Sequence, residues 1–259
     1  MDIVPPVAIS VLGAFQLTLA GRQSSITSES KAAHLLLCLV LAHQHRLLRT
    51  QLVERLWPNT EPALAGQSLH SLIHSLHKNA RTVLQEPEII IYDRGAYHLN
   101  IPGGVWIDVD QFERWRTQGK QLLVQGQETE GIRYCKQAIA LYQGDLWGDI
   151  GLELVIERER LRAAFLDLLA CLADYHYSHH EPTVALDLLQ RLLAHDPCRE
   201  DAHRQVMRCY MQLGQRAQAL RQYRLCCQIL AHEFEARPEP TTVALFEQVR
   251  LDPGSLSSY

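Results

Sequence analysis

A chain of 259 residues is long enough for about two domains. Its hydrophobic fraction of 47%, charged fraction of 21%, 14 Gly and 11 Pro exclude a disordered, collagenous or low-complexity chain. The net charge of −4 is unevenly spread: residues 1–105 hold 8 Lys+Arg against 7 Asp+Glu, whereas residues 106–259 hold 17 against 22, so only the N-terminal part suits an anionic partner.

Val7, Ile9 and Val11, then Phe15, Leu17 and Leu19, alternate as in short strands, with a turn at Ala20-Gly21-Arg22. Ser28 is the expected cap of a helix running to about His45, with Glu29 in its first turn. A second helix is expected from Leu47 to Trp57, stopped by Pro58. Thr60-Glu61-Pro62 opens a third, reaching about Leu84. The runs Glu88–Tyr92 and Ala96–Asn100 flank Asp93-Arg94-Gly95 and predict a hairpin. Pro102-Gly103-Gly104 marks the expected domain break.

From Asp108 the pattern is helical, with helices expected over about 109–125, 127–142 and 238–250. Ala185-Leu186 recurs as Ala219-Leu220, an offset of 34 residues, and Leu189 and Leu192 align with Tyr223 and Cys226. Leu172 and Ala173 align with Val206 and Met207, while His180 stands where Gly214 predicts a glycine. A 34-residue helix–turn–helix period with small residues at the crossings is the tetratricopeptide (TPR) pattern. The residues from Pro253 to Tyr259 read as a loose tail.

The third helix carries the argument for function. Leu69, Leu72, Ile73, Leu76, Ala80 and Val83 form one apolar stripe at helical spacing. Gln67, Ser71, His74, Lys78 and Arg81 occupy the opposite face, with His70 and His77 on its shoulder and no acidic residue among them. A solvated helix face is the bland explanation. The context favours another: a preceding short helix, a turn at Trp57-Pro58-Asn59 and a following hairpin make a winged helix-turn-helix. The third helix then suits the major groove, with Gln67, His70, Ser71 and His74 as base readers. Lys78, Arg81 and Arg94 are expected on phosphates or the adjacent minor groove, and Arg46 and Arg49 of the second helix on the DNA backbone.

These residues also carry a family resemblance. The string from Arg46 to Pro58, followed by Ser68–Lys78, resembles the winged helix of regulators with a bacterial transcriptional activator domain (BTAD), the SARP-like family, whose winged helix is of the OmpR type. Trp106–Glu113, Tyr142–Asp149, Glu157–Leu161, His195–Glu200 and Tyr210–Tyr223 resemble successive parts of the activator domain, so the likeness spans about residues 7–250. It implies an α+β winged helix-turn-helix domain at 1–104, an all-α TPR-like domain at 105–250 and a tail at 251–259. It also implies a transcriptional activator that binds double-stranded DNA as a homodimer, often on direct repeats, and contacts RNA polymerase. The family usually carries Arg where this chain has His70 and His77. Arginine is always charged and histidine mostly neutral near pH 7, so weaker, pH-sensitive DNA binding is expected.

Other chemistries find less support. His70, His74 and His77 share a helix face, but the string lacks the Glu of HExxH, and His176, His179 and His180 read as turn residues, so no metal is expected. The seven cysteines, odd in number and without a CxxC pair, read as reduced thiols, with Cys226-Cys227 as core filling. No GxxxxGK[ST], GxGxxG or GxSxG motif is present, and no enzyme activity or cofactor is expected. The longest apolar run, Leu35–Ala42, is far short of the ~20 residues of a membrane span, and the first six residues lack signal-peptide character, so a cytoplasmic protein is expected. The alternative function is a TPR-like adaptor for other proteins whose winged helix no longer reads DNA.

Overall fold

The computed structural model describes residues 6–81, 84, 88–100, 104–149 and 151–251. The chain divides into two compact units, Met1–Arg162 and Ala163–Tyr259.

In the first unit, β1 (Val7–Ser10) pairs antiparallel with β2 (Gln16–Leu19), which pairs with β3 (Arg22–Gln23). The expected alternation is realised: Val7 faces Leu19 and Ile9 faces Leu17, and all four are buried. The sheet gains a strand that periodicity did not reveal, β7 (Val105–Ile107), parallel to β1 on its other edge. Three residues are too few for a period-2 pattern to show, and a parallel partner has no hairpin turn to announce it.

Helix α1 (Lys31–Leu41) is capped by Ser30, whose side chain accepts the Ala33 N–H at 3.2 Å, rather than by Ser28. It also ends earlier than expected: Ala42 is extended (ψ 145°), and a 3₁₀ turn at His43–His45 with left-handed Gln44 (φ 55°) follows. The expected second helix is a strand followed by a helix: β4 (Arg46–Leu48), then α2 (Arg49–Leu56). Helix α3 (Pro62–Arg81) begins at the predicted proline and buries Leu69, Ile73, Leu76 and Ala80; Val83 lies outside the described residues. The hairpin pairs β5 (Ile90–Asp93) with β6 (Ala96–Leu99), and β4 joins β6, giving a second sheet of order β4-β6-β5.

Helices α4 (Asp108–Val124) and α5 (Glu128–Leu141) cross at two glycines, where a side chain on Gly119 would come 2.6 Å from Cys135 Sγ and one on Gly131 would come 2.8 Å from Leu123. The segment 142–149 then returns to the first sheet. Leu146 bridges Leu12, Trp147 N–H donates to Val11 O at 2.8 Å, and the Trp147 ring packs 5.2 Å from Phe15 and 5.0 Å from His34. Buried Asp108 accepts the N–H groups of Val11, Leu12 and Val109 at 2.7, 2.8 and 2.8 Å. The Pro102-Gly103 break and the tail from Pro253 lie outside the described residues.

The long helix α6 (Gly151–Ser178) starts six residues before the expected Glu157 and contains the division between the units. The second unit continues with α7 (Pro182–His195), α8 (Glu200–Gln212), α9 (Arg216–Phe234) and α10 (Pro240–Leu251). The repeat positions lie in its core: Leu172, Ala173, Ala185, Leu189, Leu192, Val206, Met207, Ala219 and Cys226 are all buried. The mismatch between His180 and Gly214 has a physical basis. Both positions are left-handed (φ 60° and 71°), so the turn between paired helices has one shape in both units, and His180 adopts it at a cost that glycine avoids. Helix α10 closes the array: Leu245 and Val249 pack with Met207, Met211 and Ala219, while Phe246 stacks on Tyr223 at 4.0 Å.

Candidate nucleic-acid interface

Helix α3 is twenty residues long because nothing interrupts it: Pro62 occupies its first turn, its interior lacks proline, and its apolar residues recur at three and four. Burial of that stripe decides which side remains exposed. Gln67, His70, Ser71, His74, Lys78 and Arg81 are all exposed, along with Ser68 and Ser75. α3 itself carries no carboxylate, although Glu88 lines the adjoining groove, and Lys78 and Arg81 stand in the last turn, where the helix dipole favours cations.

Arg94 and Gly95 form the two-residue loop of the hairpin. Asp93 pairs with Ala96, and both loop residues have positive φ (47° and 80°), as in a type I′ turn. This turn thrusts Arg94 outward, with 89% of its side chain exposed.

Two of the residues expected to contact DNA also have partners within the protein. Arg46 is not on a helix but in β4, and it is tied to the hairpin: its guanidinium donates to Asp93 O at 2.9 Å and pairs with the Asp93 carboxylate at 3.5 Å. Arg49 is the first residue of α2 and is half-buried. Its guanidinium lies across α3 at Gly66, where a Cβ would come 1.8 Å from the terminal nitrogen. Its N–H donates to Gly95 O at 3.0 Å.

His77 does not share the exposed face. It is half-buried, and its Nε2 accepts the Ile90 N–H at 3.3 Å. Burial holds its pKa below the ordinary histidine value, opposed by nearby Glu88 and the Ile90 backbone and assisted by Arg81 and His74. A shallow groove between α3 and the hairpin is lined by Arg49, His70, His74, His77, Tyr92 and Tyr97 among others. The rings of Tyr92 and Tyr97 pack at 4.8 Å, and Tyr92 remains 54% exposed. Sequence reasoning passed over Gly66, Asp93 and Tyr92. A glycine in mid-helix was the available signal for the first, since it commonly marks a close approach.

The histidines weighed as metal ligands do other work. His176 Nδ1 lies 2.5 Å from Glu181 Oε2, His179 stacks on Tyr175 at 4.0 Å, and His180 Nδ1 meets the Gln212 amide at 3.2 Å. Among the described residues, no group of three His, Cys, Asp or Glu side chains is placed to hold a metal ion. All seven cysteines are free thiols. No helix among the described residues is long and apolar enough to cross a membrane.

A winged helix with an exposed, acid-free third helix, followed by TPR-like helical hairpins, defines the architecture of a two-part transcriptional regulator. Residues 107–250 match the family model of the bacterial transcriptional activator domain, which covers more than half of the chain, and the chain belongs to that family. Its similarity to named regulators extends beyond that domain. It is 25% identical over 246 residues to the transcriptional regulatory protein MoaR1 of Mycobacterium tuberculosis, covering 94% of this chain and 79% of the relative. It is 25% identical to the regulatory protein DnrI of Streptomyces peucetius, covering 78% of each. The solved structure of Mycobacterium tuberculosis EmbR in complex with a low-affinity phosphopeptide shares the fold, with a TM-score of 0.78 and 22% identity, over 98% of this chain and 69% of that one. The winged helix plus TPR-like architecture expected from sequence is thus the fold of this chain.

Proposed function

We propose that this family member regulates transcription by reading double-stranded DNA with α3 and its wing. In this reading, residues 1–104 bind DNA, 105–250 form the activator domain and 251–259 a tail. Gln67, His70, Ser71 and His74 meet base edges in the major groove, Lys78 and Arg81 meet phosphates, and Arg94 reaches the backbone or minor groove from the wing. Half-buried Arg49 adds positive potential behind the groove. Arg46 contributes by fixing the hairpin tip through Asp93 rather than by a phosphate contact of its own. The activator domain pairs two copies and contacts RNA polymerase in the cytoplasm. Pairing on repeated half-sites raises the avidity of a weakly basic module.

The observation that carries this reading is the exposed face of α3 from Gln67 to Arg81, polar or basic along that length, beside an outward-pointing arginine on a tight turn. The test is selection of genomic fragments on the purified chain, then titration of a recovered duplex at several salt concentrations. Lys78→Ala is expected to lower the slope of log K against log salt by about 0.9 and to weaken all sequences alike. A change confined to sequence preference refutes the phosphate role. Failure to select any duplex refutes DNA reading and favours the adaptor, the alternative to which the engaged Arg46 lends support.

A further inference from the structure

The wing's hold on the recognition helix runs through a side chain chosen for its lone pair. The Ile90 N–H at the start of β5 donates to His77 Nε2 on α3 at 3.3 Å. The family resemblance leads one to expect arginine here, and arginine has no acceptor. The same hairpin is held at its tip by Arg49 N–H on Gly95 O and by Arg46 on Asp93. Those two ties reach the wing from β4 and α2, whereas His77 reaches it from α3 itself.

We propose that His77 is a positioning residue: its neutral ring, accepting from Ile90, sets the wing against α3 and so fixes the placement of Arg94 relative to the base readers. This rests on the DNA-reading function proposed above. An acceptor nitrogen is lost on protonation, so the tie is made by the neutral ring alone. Burial above all, then Arg81 and His74 on the same helix, disfavour a charged ring, while Glu88 across the gap and the Ile90 backbone oppose them. Arg49, Tyr92 and Tyr97 complete the groove around the ring. The lowered pKa favours the neutral ring that accepts from Ile90, and protonation releases β5.

His70 and His74 are exposed on the DNA-facing side and are present in both wild type and His77→Gln, so a difference between the two chains in the pH dependence of DNA binding belongs to His77. Protonating His77 frees the wing, which weakens binding.

The test uses the full chain with His77→Gln, whose amide oxygen can accept the same N–H without titrating, and His77→Leu, which has no acceptor. The readout independent of DNA is hydrogen exchange at the Ile90 amide at pH 7.5 and 5.0, corrected for the intrinsic rate. The wild type is expected to lose about tenfold in protection on acidification, the size of one hydrogen bond. His77→Gln is expected to hold its protection, and His77→Leu to show low protection at both pH values. If His77→Leu does not fold, the comparison of wild type with His77→Gln decides alone. Identical pH profiles for those two overturn the proposal. In parallel, the ratio of Kd at pH 5.5 to Kd at pH 7.5, on a duplex selected from genomic fragments at fixed salt, is expected to be several-fold larger for wild type than for His77→Gln. Equal ratios overturn the link to recognition. Absence of binding by every chain at both pH values refutes DNA reading itself, and with it that link, while the exchange result still decides what holds the wing.

Discussion

Asp108 offers the most direct test of how the first unit is held together. Asp108 is 3% exposed and its carboxylate accepts three backbone N–H groups, two of them from the residues that directly follow the first strand. Asp108→Ala leaves the Val11 and Leu12 donors without an acceptor at positions that are 0% and 2% exposed. At roughly 1–3 kcal/mol for each buried donor so orphaned, the loss is about 2–6 kcal/mol. Asp108→Asn keeps the shape but turns an N–H₂ toward at least one donor, and is expected to cost about 2 kcal/mol at pH 7. Burial also raises the Asp108 pKa from the ordinary 3.8 to about 6, against the pull of its N–H partners. Between those values the native state keeps a proton that the unfolded chain has released. The contribution of Asp108 to stability therefore falls as pH rises from about 4 to 6, by up to about 3 kcal/mol, and is constant above that window. Urea unfolding followed by tryptophan fluorescence is the assay, because Trp57, Trp106, Trp115 and Trp147 all lie in the first unit and report on it alone. The alanine variant should unfold at markedly lower urea with an unchanged slope, and the asparagine variant should lack the pH 4–6 component. A loss below 1 kcal/mol for Asp108→Ala, or the same pH dependence in Asp108→Asn as in wild type, would refute this account.

Two further substitutions probe other close fits. Gly66→Ala replaces a mid-helix glycine with the best helix former, a gain of up to about 1 kcal/mol, but its methyl group displaces the Arg49 guanidinium. The variant should be at least as stable as wild type in the urea assay yet bind duplex DNA more weakly, and unchanged affinity would show that Arg49 is not part of the interface. His180→Gly relieves a left-handed residue at φ 60° and should stabilise the second unit by about 1 kcal/mol, less whatever the contact with Gln212 supplies. Unfolding followed by far-UV circular dichroism measures it, and a clear loss of stability would mean that the histidine contact outweighs backbone strain.

Much of this molecule was legible in its sequence wherever a period repeats often enough to be counted. The apolar stripe of α3, the strands around Ile9 and Leu17, and the 34-residue recurrence of buried alanines all gave patterns with several members, and all lie where expected. The elements that escaped are short or depend on partners distant in sequence. β4 and β7 have three residues each, and their strand character comes from pairing with residues about fifty and a hundred positions away. The same holds at the site. An exposed face could be read from helical spacing, so Gln67, His70, Ser71, His74, Lys78 and Arg81 were found on one surface. That His77 turns inward to Ile90, and that Arg46 is spent on Asp93, depends on where the hairpin lies, which no local pattern encodes.

The position of the compact-unit boundary bears on how the two functions are joined. A cut at residue 104, where composition suggests a break, would remove β7 from one edge of β1, Asp108 from the Val11 and Leu12 amides, and Trp147 from Phe15 and His34. Val7, Ile9, Val11, Leu12 and Phe15, all buried in the intact chain, would lose cover on that side. At about 25 cal/mol per Å² of apolar surface, uncovering even a few hundred Å² costs on the order of 5–10 kcal/mol, comparable to the whole stability of a typical domain. A fragment of residues 1–104 is therefore expected to be unfolded or to aggregate, whereas 1–162, which keeps every one of those contacts, should unfold cooperatively with the tryptophan signal of the intact chain. A soluble, cooperatively folded 1–104 fragment would show that the winged helix is autonomous. If it is not, the opening of the activator domain is part of the body that carries α3, and a partner gripping helices α4 and α5 grips α3 with them.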